Sequence, residues 1–141
     1  MYLPKKSQLF DKIERSNDFR GSIESIVDEP VCNVSIIDSE SGVIRSNHYH
    51  HVDFHFMYVL EGEIDYFFKQ IDQVDIGYYK VGVGSTIFTP PKEIHACFFP
   101  VATRLIVSSK NPRDQNTYES DTVRVEFLTH GNIKDMLAKY G

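Results

Sequence analysis

Short runs of β-branched and aromatic residues, broken every few positions by Gly, Pro, Asn, Asp or Ser, set the pattern of this chain. The strongest runs are Val31 to Asp38, Phe54 to Leu60 and Ile64 to Lys69, the last two joined by Glu61, Gly62 and Glu63 as a tight hairpin turn. Val43 to Ser46, Gly77 to Val81, Ser85 to Phe88, Ala96 to Phe99 and Arg104 to Ser108 read as further strands. Leu9 to Glu14 and Ser22 to Val27 flank a turn-rich segment, Ser16 to Gly21, and read as an N-terminal hairpin with a longer loop. From Thr122 to Phe127 apolar and polar positions alternate, with Val123, Val125 and Phe127 on one face, which predicts another strand. Only the C-terminus has a helical period: Ile133, Met136, Leu137 and Tyr140 fall on one stripe, with Asn132 as cap and Asp135 in the first turn. About ten strands and one short terminal helix predict an all-β, double-sheet barrel.

Length and composition sharpen this picture at a few points. A chain of 141 residues suits one domain, 1–141, with room for a real core. Ten Phe and eight Tyr with no Trp favour strands and ligand pockets. The net charge of -5, with no basic cluster beyond Lys5 and Lys6, argues against a nucleic-acid partner. Met1 to Lys6 lacks the apolar run of a signal peptide, and no stretch approaches the roughly 20 apolar residues of a membrane span. Two cysteines, Cys32 and Cys97, are too few for a disulfide scaffold, so the expectation is a reduced, cytoplasmic protein.

The chemistry concentrates in the histidines. Five of the six lie in two short segments: His48, His50, His51 and His55, then His95 after Pro90 and Pro91. Imidazole binds metals as the neutral base, the form available near pH 7. His48 and His50, two apart on a strand, leave the same face and offer two ligands to one ion. His55 has the opposite parity, which a turn at His51, Val52 and Asp53 can reset. Asp53 is a weaker alternative ligand, and His130, standing alone, reads as an ordinary strand residue. Arg45, Tyr58, Tyr66, Lys92 and Arg104 are the other polar groups placed to reach a ligand, whereas Cys97, Met57 and Val59 read as packing.

In full the spacing is Gly42-x5-His48-x-His50-x4-His55-x6-Gly62, then Gly84-x5-Pro90-x-Lys92-x2-His95. It resembles the two signature motifs of the cupin superfamily, motif 1 at 42–62 and motif 2 at 84–99. The usual pattern has Glu at the position of His55, Gly at Lys92 and Asn at Phe99. The resemblance implies a jelly-roll barrel, the double-stranded β-helix, with a divalent metal held in its mouth by His48, His50, His55 and His95. Four imidazoles suit Zn, Ni, Fe or Cu better than Mg or Ca. A looser resemblance, through Asn17 to Glu24, Asn33 to Ser35, Gly42 to His50 and Asp114 to Phe127, is to the sugar-nucleotide cupins, the epimerases and ketoisomerases that act on keto-sugars.

That second resemblance implies an isomerase or epimerase acting on a keto-sugar nucleotide for surface polysaccharide. Such chemistry needs a base beside an acidic carbon proton and a group that holds the enolate oxygen. His51, Tyr58 and Tyr66 are the candidates for moving protons, and Arg45, Lys92 and Arg104 for binding substrate. In a metal-free enzyme His48 or His50 would be the base instead. A metal-dependent dioxygenase and a non-catalytic cupin that binds metal or a small molecule are the alternatives. Small cupins usually pair, and the N-terminal hairpin could serve as an exchanged edge strand in a homodimer.

Overall fold

The computed structural model describes residues 3–141; Met1 and Tyr2, the first residues of the segment read for a leader, lie outside them. In chain order the elements are strands β1 (Gln8–Phe10), β2 (Ile13–Asp18), β3 (Gly21–Ser25), β4 (Asn33–Ser39), β5 (Ile44–His50), β6 (His55–Glu61), β7 (Ile64–Gln70), β8 (Gly77–Val81), β9 (Thr86–Thr89), β10 (Glu93–Phe98) and β11 (Thr103–Ser109), then helix α1 (Gln115–Asp121), strand β12 (Thr122–Arg124) and helix α2 (Ile133–Tyr140). Ten strands form two five-stranded sheets, β1-β9-β6-β11-β4 and β12-β5-β10-β7-β8, while β2 and β3 pair only with each other. Every pairing is antiparallel. This is the cupin jelly roll with a C-terminal helix.

The main core lies between the sheets. Met57, Val59, Ile87, Leu105 and Val107 from the first meet Ile64, Tyr66, Val81, Cys97 and Phe99 from the second. The outer face of the second sheet is also covered. Phe67 and Ala96 pack there beneath Leu128 and Ile133, with Met136, Leu137 and Tyr140 alongside. Burial on both faces explains why β7 and β10 read as nearly continuous apolar runs rather than alternating ones. At the β6–β7 turn Gly62 has φ 88°, and a Cβ there would stand 2.5 Å from the Ala102 carbonyl oxygen, so the glycine is obligatory.

Three expectations need correction. The N-terminal hairpin is tighter than expected: only Phe19 and Arg20 separate the strands, because the Asp18 carboxylate takes the Arg20 amide at 2.9 Å and Gly21 turns with φ 130°. Leu9 and Phe10 do not belong to it; they pair with β9, where the Phe10 ring sits 5.5 Å from those of Phe56 and Phe88. The alternating segment Thr122 to Phe127 stays a strand only to Arg124: the Val125 amide still reaches the Asn47 carbonyl at 2.9 Å, but there its partner strand β5 turns left-handed at Asn47 and Ser46 and the ladder stops. Helix α1 was not expected from the sequence; Asp114 caps it, accepting from the Thr117 amide at 3.1 Å.

Candidate metal centre

The positions of His48 and His50 depend on one extra residue. Ile44 points outward into the layer under α2, and simple alternation would send His48 and His50 the same way. The register instead steps from Ala96↔Ser46 to His95↔His48, so β5 carries a residue with no counterpart on β10. Ser46 and Asn47 take left-handed φ values of 73° and 57° to make this bulge. The Asn47 amide fixes it, donating to the Leu128 carbonyl and accepting from the Leu128 amide, both at 2.8 Å. Beyond the bulge the phase is reversed, and His48 and His50 face the interior beside His95. A second phase change in the loop 51–54 brings His55 inside as well.

The four rings form one buried cluster, exposed by 7% at His48, 1% at His50, 6% at His55 and 2% at His95. Ring centres lie 4.6 Å apart for His48–His50, 4.8 Å for His48–His95 and 4.8 Å for His50–His55. Nitrogens of His48, His50 and His95 all fall within 4.8 Å of one another. His55 does not share that set; its Nε2 stands 3.2 Å from Asp53 Oδ2. Burial first, and then the neighbouring imidazoles, pull His48 down to about 2. Burial likewise takes His95 to about 3, against the Glu93 carbonyl, and His50 to about 4, against Asp53 and Asp121. At neutral pH these three rings are uncharged.

Their hydrogen bonds define which nitrogen holds the proton. His95 Nδ1 lies 3.1 Å from the Glu93 carbonyl oxygen, which only accepts, so Nδ1 carries the hydrogen. Thr122 donates its hydroxyl to the Tyr118 carbonyl at 2.6 Å, which leaves its oxygen to accept from His50 Nδ1 at 3.3 Å. Both rings thus keep Nε2 as a bare lone pair. His50 Nε2 and His55 Nε2 are buried with no hydrogen-bond partner, a condition that costs about 1–3 kcal/mol per atom unless something else occupies it. Bare, buried, convergent imidazole nitrogens held by outer hydrogen bonds are the donor set that a transition metal takes. The residues present therefore fit such an ion.

Two carboxylates frame the cluster. Asp121, at the end of α1, binds the loop after β5: its oxygens accept the Val52 and Asp53 amides at 3.0 Å each and its carbonyl accepts from His51 at 3.0 Å. Asp121 Oδ2 also stands 3.7 Å from His50 Nδ1. Asp53 accepts the Asn111 amide at 3.0 Å. Burial alone would raise its carboxyl, but His55 and that amide hold it below the usual range. Where the motif has a ligand Glu, this chain thus has His55 with a carboxylate at its back. Tyr118 covers the site, its ring centre 6.2 Å from His48 and 5.5 Å from His50, with the Arg113 guanidinium 5.0 Å above it.

The remaining expected residues divide. Tyr66 is inside: its ring stacks on His95 at 6.1 Å and its hydroxyl bonds Ser7 and Thr89 at 2.7 Å each. Burial, then Glu93, pushes that phenol well above its ordinary value. His51 and Tyr58 point away from the cluster. His51 is exposed, 5.8 Å from the Tyr49 ring, and Tyr58 shares the outer side of β6 with Phe56, opposite His55, Met57 and Val59. Arg45 and Arg104 are held at the far end of β4, Arg45 by Ser39 Oγ at 2.7 Å and Arg104 by Asp38 at 2.8 Å. Lys92 is on the loop above the cluster with φ 60°, the conformation that suits the usual Gly, and its amide donates to the His50 carbonyl at 2.7 Å. Sequence reasoning missed Tyr118, Asp121 and Thr122 as site residues. The capping pattern from Asp114 to Thr117 was the available signal for their helix.

No protein-family model and no curated protein matches the chain. Solved structures do. The sugar 3,4-ketoisomerase of Thermoanaerobacterium thermosaccharolyticum, solved with TDP, is 15% identical over 99% of this chain and 100% of its own, with a TM-score of 0.68. The dTDP-4-dehydrorhamnose 3,5-epimerase of Bacillus anthracis, solved with TDP and pyrophosphate, is 14% identical over 89% and 81%, with a TM-score of 0.68. The capsular polysaccharide assembling protein CapF of Staphylococcus aureus is 22% identical over 84% of this chain and 32% of its own, at 0.62. At such identities the likeness carries the fold: this chain is built like the sugar-nucleotide cupins.

Proposed function

We propose that the chain is a metal-dependent cupin isomerase or epimerase, moving a proton beside the carbonyl of a nucleotide-linked keto-sugar. The observation that carries it is the convergence of His48, His50 and His95, neutral and with the Nε2 lone pairs of His50 and His95 bare, inside a fold shared with ketoisomerases and an epimerase. These three would hold the ion, and Zn, Ni, Fe or Cu suits the nitrogen set. A bound ion supplies Lewis-acid polarisation of a carbonyl oxygen.

The chain's own groups supply the rest. His55, outside the three-nitrogen set and with Asp53 Oδ2 3.2 Å from its Nε2, is the imidazole left to take and return the carbon proton. Tyr66 keeps its proton at neutral pH and donates it to Ser7, whose own hydrogen goes to Glu93, so its part is to brace the His95 ring from inside rather than to give a proton. Tyr118, with Arg113 stacked on it, covers the centre on the side of α1.

That cover also favours a second reading, a cupin that holds metal without turnover. An assay of metal-loaded protein on TDP-4-keto-6-deoxyglucose separates the two. Proton exchange with solvent or a shifted carbonyl, abolished in His55→Ala while the metal stays bound, is expected of the enzyme. Full metal occupancy with neither signal is expected of the second reading.

A further inference from the structure

We propose that Ser7 is a positioning residue for the histidine cluster, delivered to it by the N-terminal segment of the chain. Ser7 stands one residue before β1, and β1 pairs Gln8 with Phe88. That register sets Ser7 level with Thr89, at the end of the sheet where Thr89 lies opposite His55. Ser7 is 3% exposed, and both of its polar groups are engaged. Its amide donates to the two Glu93 carboxylate oxygens at 3.0 and 3.2 Å, and its hydroxyl donates to Glu93 Oε1. That leaves the Ser7 oxygen to accept from the Tyr66 hydroxyl at 2.7 Å.

Two contacts carry this anchorage to His95. The Glu93 carbonyl takes the His95 Nδ1 hydrogen at 3.1 Å, and the Tyr66 ring stacks on the imidazole with its centre 6.1 Å away and 20° between the planes. Glu93 and Tyr66 meet at Ser7, while Gln70 holds the Glu93 carboxylate at 2.8 Å and Thr89 holds the Tyr66 hydroxyl at 2.7 Å. Ser7 thus ties together the residue that sets the His95 tautomer and the ring that sets its plane. A carboxylate with no exposed surface is destabilising to bury, and apolar side chains would fill the same space without that cost. What the polar network adds is a single arrangement around His95, the outer support that fixes a ligand imidazole. What the cluster holds rests on the metal reading above; the orientation of His95 does not.

The test is nitrogen-15 NMR of the imidazoles in the full chain at neutral pH, stripped of metal by a chelator. The wild type should show His95 as one tautomer with its hydrogen on Nδ1. Ser7→Ala should show averaged signals of both tautomers, Tyr66→Phe the same through loss of the same link, and Ser7→Thr a return toward the wild type. His50, whose Nδ1 is held by Thr122 instead, should not change in any of them. Zinc affinity, read by competition with a coloured chelator, should fall roughly 10-fold in Ser7→Ala. An unmoved His95 in both Ser7→Ala and Tyr66→Phe overturns the proposal, as does an equal disturbance of His50, which would mark a general loosening of the barrel. A His95 change in a protein whose wild type takes up no zinc keeps the role of Ser7 and removes the metal reading. Zinc uptake by the wild type with His95 unmoved in the variants does the reverse.

Discussion

His48 and His95 face each other across the β5–β10 pair with their rings 4.8 Å apart, and they do so because Asn47 adds one unmatched residue to β5. Without it His48 would follow Ile44 to the outer face, under α2. The histidine cluster is therefore a consequence of a backbone irregularity as much as of the histidines themselves.

Asn47 should be costly to replace. Asn47→Ala removes two hydrogen bonds to Leu128 and puts an alanine at φ 57°, for an expected loss of about 2–3 kcal/mol. Asn47→Gly keeps the backbone conformation and should recover about 1 kcal/mol of that. Urea unfolding of the three proteins checks the order. Equal midpoints for the wild type and Asn47→Ala would show that the bulge holds itself.

The proton position on His50 is set by Thr122. Thr122→Val keeps the shape of the side chain but removes the acceptor 3.3 Å from Nδ1. The ring is then free to place its hydrogen on Nε2, and metal affinity should fall by roughly 10- to 100-fold while the fold persists. Competition with a coloured chelator measures this, and unchanged affinity would mean that another contact orients the ring.

Acid should destabilise the metal-free protein. His48, His50 and His95 have folded values of about 2, 4 and 3, below the ordinary 6.5, so they stay neutral in the fold while the unfolded chain takes up protons. Their contribution is complete above pH 6.5 and is lost as pH falls from there toward those folded values, at about 1.4 kcal/mol per pH unit for each ring. Urea midpoints of chelated protein should drop sharply between pH 7 and pH 5. A flat profile over that interval would show that the rings are solvated.

Much of the fold was legible in the sequence. The runs Phe54 to Leu60, Ile64 to Lys69 and Gly77 to Val81 correspond to β6, β7 and β8 within a residue, because each is bounded by turn residues and packed on a continuous core. The histidine constellation was legible from its spacing together with the cupin motifs that it resembles. What the sequence hid came from long-range contacts. Asn47 reads as an ordinary strand residue until its partner Leu128, 81 positions on, is in place. Tyr58 and His51 looked available for catalysis because parity on β6 and the turn at 51–54 were not fixed by local pattern. Tyr118 and Asp121 reach the site only through α1, a helix too short and too polar to show a periodic stripe.

On the proposed reading His48, His50 and His95 hold a metal and His55 does not. Elemental analysis of the purified protein beside His48→Ala, His50→Ala and His55→Ala tests it directly. Close to one transition-metal ion per chain is expected in the wild type and in His55→Ala, and little in the other two. Equal loss in His55→Ala would make all four histidines ligands, and a wild type free of metal after loading with Zn, Ni, Fe or Cu would contradict the account outright.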